Sequence, residues 1–89
     1  MRKRVGRLKL LVEGLPRVEP EGRQAVISAE LQAVDDAFRR EKDALANAVH
    51  HYVAARTRRA SIEEKATLHR RAMDALGALV AAVAHRGRP

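Results

Sequence analysis

An all-α fold is predicted by three observations: alanine content, sparse punctuation and a long heptad seam. Alanine makes up 17 of the 89 residues, and the only aromatics are Phe38 and Tyr52. Alanine loses no side-chain entropy in a helix, so this composition favours helix over sheet. Between Gly22 and Gly77 there is neither glycine nor proline, so nothing in that span forces a helix to stop. Within it Ile27, Leu31, Val34, Phe38, Leu45, Ala48, Tyr52 and Ala55 follow a 4-3-4-3 spacing, with Glu41 in the one gap. That is a heptad seam. The expected architecture is a long antiparallel helical hairpin, about 21–59 and 62–85, with a short N-terminal helix or strand folded back on it. The whole is expected to be oligomeric or docked in a larger assembly.

The elements follow in chain order. Residues 1–15 form a basic N-terminal segment in which Val5, Leu8, Val12 and Leu15 recur at helical spacing, while Leu8, Leu10 and Val12 also alternate as in a strand. Both readings stay open. Residues 16–22 are a turn, because Pro16 and Pro20 force their predecessors out of the helical region. Residues 23–85 make the hairpin. Asp35 with Arg39 and Asp36 with Arg40 are i,i+4 pairs that support an uninterrupted first helix by about 0.2–0.5 kcal/mol each. Glu41 either sets register against a partner's arginine or faces solvent.

The sequence Ser61-Ile62-Glu63-Glu64 is a capping box, so a second helix is expected to begin there. Arg56, Arg58 and Arg59 then lie in the last turn of the outgoing helix, where cations suit the negative dipole end. No glycine supplies a C-cap, and a single helix running on to about residue 85 is the competing expectation. The two helices would be about 58 Å and 36 Å long, so the second leaves Ile27, Leu31 and Val34 uncovered unless the N-terminal segment lies over them. From Ala72 to Ala84 the second helix is apolar on nearly every side, and such a helix must be covered on every side. A partner chain is therefore expected on an interface of Ile27, Leu31, Val34, Met73, Leu76, Leu79, Val80 and Val83. The chain is one small domain ending in a basic tail, 86–89, and at this size it buries only a modest core alone.

The absence of cysteine excludes disulfides and thiolate metal sites. The longest apolar tract, 13 residues with Asp74 inside it, falls short of the roughly 20 needed to span a bilayer. No secretory signal pattern precedes it, and a cytoplasmic location is expected. Ser28 and Ser61 are the only serines, neither with a nucleophile's context. His50, His51 and His69 would approach one another in the hairpin but lack an i,i+4 pair or an acid to complete a ligand set. Neither catalysis, a metal, a cofactor, a small-molecule substrate nor a membrane is expected.

Charge is the remaining signal. The net charge is +7 and arginine outnumbers lysine 14 to 4. By segment the charge is +4 over residues 1–20, −2 over 21–55, +4 over 56–71 and +1 over 72–89. One basic patch is Arg2, Lys3, Arg4, Arg7 and Lys9; the other gathers Arg56, Arg58, Arg59, Lys65, Arg70 and Arg71 at the hairpin tip. Guanidinium groups match phosphate oxygens bidentately, and no aromatic lies in the tip to stack on a base. The function expected is a non-catalytic subunit that self-associates or docks into a nucleoprotein assembly and holds DNA or RNA by its backbone. The alternative is a protein-only adaptor whose basic surface meets an acidic protein.

Overall fold

The computed structural model describes residues 2–86, and the side chains of residues 3–86. Four helices follow one another: α1, Arg2–Glu13; α2, Pro20–Gln32; α3, Arg39–Thr57; and α4, Ile62–Arg86. Short 3-10 turns at Leu15–Arg17 and Asp36–Phe38 lead into α2 and α3. No strand occurs among the described residues.

The N-terminal segment is helical. Val5, Leu8, Val12 and Leu15, the residues at helical spacing, are all buried, while Leu10 is 70% exposed. A strand would have put Leu10 on the face of Leu8 and Val12. Gly14 and Pro16 end this helix, and Leu15 drops into the core as the chain turns. Glu19 then caps α2, its carboxylate accepting from the amides of Glu21 and Gly22 at 2.8 and 2.6 Å, with Pro20 in the first turn, where no amide is needed.

The expected helix 21–59 is not continuous. It breaks after Gln32, and α2 and α3 run antiparallel: Gln24 meets His50, with Nε2 and Nδ1 3.4 Å apart. At the corner the amides of Ala33 and Val34 close on the carbonyls of Glu30 and Leu31 at 3.2 and 3.0 Å. Asp35 takes extended backbone and its Oδ1 accepts from the Ala37 amide at 2.8 Å. The two aspartates are therefore not i,i+4 partners of Arg39 and Arg40. Lys42 donates to the Val34 carbonyl at 2.6 Å and pairs with Asp36 at 3.3 Å.

Burial explains the break. A straight helix would leave Ile27, Leu31 and Val34 with only the N-terminal segment for cover, whereas here α2 packs on both α1 and α3 and all three are buried. At about 1.5–3 kcal/mol per large side chain, that burial outweighs a handful of helical hydrogen bonds worth about 1 kcal/mol each.

The second corner lies where the capping box places it. The Glu64 amide donates to Ser61 Oγ at 3.1 Å, although the Glu64 carboxylate turns to Arg58 rather than back to the Ser61 amide. The outgoing helix ends without glycine because Arg59 itself takes φ of 57°. With it, Ala60 donates to the Ala55 carbonyl at 2.9 Å and Arg59 to that of Arg56 at 3.2 Å, the two bonds of a Schellman ending.

α1 packs on α2 and α4, α2 on α3, and α3 on α4. Arg4 beside Glu30 and Arg23 on the Leu11 carbonyl set α1 antiparallel to α2, and Tyr52 beside His69 with Arg86 over Phe38 sets α3 antiparallel to α4. The result is an up-and-down four-helix bundle rather than a two-helix hairpin carrying an arm. Its single core joins Leu8, Val12 and Leu15 to Ile27, Leu31, Leu45, Val49, Tyr52, Leu76 and Leu79. The molecule measures 46 × 21 × 18 Å.

Candidate phosphate-contact surface

In α1, burial of Val5, Leu8 and Val12 turns Lys3 and Lys9 outward. Arg4 and Arg7 instead converge on Glu30, at 3.0 and 2.9 Å, and fasten α1 to α2. The Glu30 side chain is only 14% exposed, and the Arg7 hydrogen bond, with the charges of both arginines, holds its carboxyl below the ordinary value of 4.5 despite desolvation. The basic segment is thus a packed helix rather than an arm; the side chain of Arg2 lies outside the described residues.

The tip residues divide. Arg56, half-buried, donates to the carbonyls of Leu15 and Val18 at 2.9 and 2.6 Å. One guanidinium nitrogen makes both bonds and ties the link between α1 and α2 to the end of α3. Beside it burial pushes the Tyr52 hydroxyl above its ordinary value of 10.0, the charge and hydrogen bonding of Arg56 opposing the shift. Arg58 pairs with Glu64, and Lys65 is half-buried. Arg59, Arg70 and Arg71 are exposed and form no ion pair among the described residues.

Three exposed cations were not singled out by the charge runs: Arg17, Arg39 and Arg40. The last two were hidden in a segment whose charges sum to −2. Arg86 sits 5.6 Å above the Phe38 ring, a cation–π contact at the same corner; residues 87–89 of the basic tail lie outside the described residues. Cations without an ion pair among the described residues therefore occur on α1, on both corners and along α4, and not in two discrete patches.

The expected interface residues fare unequally. Ile27, Leu31, Val34, Leu76 and Leu79 are buried within this chain, because α1 and the folded-back α2 supply the cover that a partner was expected to give. Met73 and Val83 are half-buried, and Val80 is exposed. Beside Val80 the small residues Gly77, Ala78 and Ala81 of α4 are also exposed, with nothing within 4 Å of a Cβ placed at Gly77. The histidines do not gather either. His69 Nε2 donates to the Val12 carbonyl at 2.9 Å and its ring lies 5.6 Å from that of Tyr52, whereas His50 turns to Gln24. Among the described residues no cluster of three metal-ligating side chains forms.

A shallow groove of about 490 Å3 runs between α2 and α3, and its charged lining is Asp36, Arg39, Lys42 and Asp43. Two acids face two bases there, so it offers no net charge to an anion. Of the described helices none is long and apolar enough to cross a membrane. Together these features define a small antiparallel four-helix bundle with a cationic surface. No known protein family, curated protein or solved structure matches the chain.

Proposed function

We propose that this bundle is a non-catalytic, cytoplasmic subunit that self-associates or docks within a nucleoprotein assembly and grips nucleic-acid phosphates without reading bases. The observation that carries this reading is the set of exposed cations Lys3, Lys9, Arg59, Arg70 and Arg71, which form no ion pair among the described residues, on a chain of net charge +7. Arg4, Arg7, Arg56 and Arg58 support the fold and leave the contact set. The cations are spread along the molecule, as suits a backbone with a charge at every nucleotide and not a single phosphate pocket. Neither Phe38 nor Tyr52 is exposed, so neither of these rings is available for base stacking.

The test is fluorescence anisotropy of labelled duplex DNA, single-stranded DNA and RNA across a salt series. The expected result is similar affinity for unrelated sequences and a linear fall of log affinity with log salt, with a slope of about −4.5 for five phosphate contacts on duplex DNA. Arg70→Gln with Arg71→Gln, both exposed, should reduce that slope by about two while leaving the helical circular dichroism unchanged. Absence of binding at low salt would overturn the reading and turn the search to an acidic protein partner.

A further inference from the structure

The corner between α2 and α3 is made from residues that also suit a straight helix. From Gly22 to Gly77 no glycine or proline intervenes, and the seam Ile27, Leu31, Val34, Phe38, Leu45, Tyr52, Ala55 keeps its heptad spacing straight through the break. Of the corner residues Ala33, Asp35 and Phe38, only Asp35 has extended backbone, with ψ of 136° against −7° and 26° for its neighbours. Both aspartates have partners in either state. Folded back, Asp35 caps the Ala37 amide and Asp36 meets Lys42; straightened, they stand one turn before Arg39 and Arg40 as i,i+4 pairs.

We propose that two copies of this chain exchange their α1–α2 halves by straightening residues 33–38. In the exchanged dimer α2 and α3 form one helix of about 57 Å, and the α1–α2 pair of each copy packs on α3 and α4 of the other. The contacts between the two halves away from the corner are then remade between chains: Leu8, Val12, Ile27 and Leu31 against Leu45, Val49, Leu76 and Leu79, with Arg56 of one copy on the carbonyls of Leu15 and Val18 of the other. Because the two states share these contacts, their balance depends on the corner and on concentration, the condition under which exchange of identical elements is favoured. This rests on the self-association in the proposed function and is independent of phosphate contact.

Because the chain has no cysteine, Gln24→Cys with His50→Cys places one thiol on each side of the α2–α3 seam. Wild type and Asp35→Ala, each with this pair, are refolded at high concentration, separated by size-exclusion chromatography with light scattering, and cross-linked with a short bis-maleimide. Loss of the Asp35 cap from each of two closed chains should raise the dimerisation constant about tenfold or more. The isolated dimer should run as a covalent dimer on a denaturing gel, and the isolated monomer as an internally linked monomer. A dimer peak that yields only internally linked monomers would overturn exchange while leaving self-association through an outer face intact. If neither protein forms a dimer at millimolar concentration, exchange and self-association both fail, and the anisotropy result stands separately.

Discussion

The two corners of α3 are built on opposite plans. At its C-terminal end the chain passes through a left-handed residue, Arg59, and restarts at Ser61. At its N-terminal end the chain passes through the extended backbone of Asp35, and a lysine from the next turn of α3 reaches back to the Val34 carbonyl. The first corner's backbone and capping bonds lie within residues 54–65 and Ile62 is 80% exposed, although the Arg56 side chain reaches out to Leu15 and Val18. The second is tied to the core, with Val34 and Phe38 both buried. A corner held by its own hydrogen bonds announces itself in a capping motif. A corner held by what it buries does not.

The largest expected effect breaks the core-tied corner. Phe38→Ala should lower the unfolding free energy by about 3–5 kcal/mol, measured by urea denaturation, while Ile62→Ala at the other corner should change it by less than about 0.5 kcal/mol. Equal effects would remove the distinction between the two. Next comes Arg56→Met, which keeps the aliphatic stem but leaves the carbonyls of Leu15 and Val18 without their charged donor. A loss of about 2 kcal/mol is expected, with phosphate affinity changed far less than by Arg70→Gln with Arg71→Gln.

Cap removal sharpens the comparison further. Ser61→Ala should cost about 1 kcal/mol without changing the oligomeric state, whereas Asp35→Ala should cost a similar amount and also promote dimers; light scattering and denaturation on the same samples separate the two. The smallest effect carries the opposite sign. Arg59→Gly relieves the left-handed backbone and should raise stability by about 0.5–1 kcal/mol, the gain being reduced by glycine's freedom in the unfolded chain. Thermal denaturation followed by circular dichroism reads it, and a loss of stability would mean that Arg59 makes contacts beyond its backbone role.

Several site residues were legible and several were not. Helical spacing in residues 5–15 identified the buried face of α1. The position of Arg56 in a helix's last turn was visible, but its capture of two carbonyls about forty positions earlier was not, since nothing local marks a contact at that separation. Glu30 likewise carries no motif, and its two arginines become partners only when α1 lies antiparallel on α2. Of the cations that the charge runs singled out, Arg70 and Arg71 are exposed without an ion pair among the described residues, whereas Arg4 and Arg7 sit beside Glu30 and Arg58 beside Glu64. Counting charge along the chain cannot register acids that folding brings alongside.

By itself the sequence determined that this protein is helical, where its turns at Pro16–Pro20 and Ser61 fall, which residues along the seam avoid water, and that its surface is strongly basic. Those properties depend on propensity, capping and periodicity, all set within a few residues. Tertiary structure decided that the long helix folds at Asp35, that α1 completes a four-helix bundle, and which arginines are left facing solvent. Two arrangements satisfied the same local preferences, and burial of Ile27, Leu31 and Val34 within one chain chose between them.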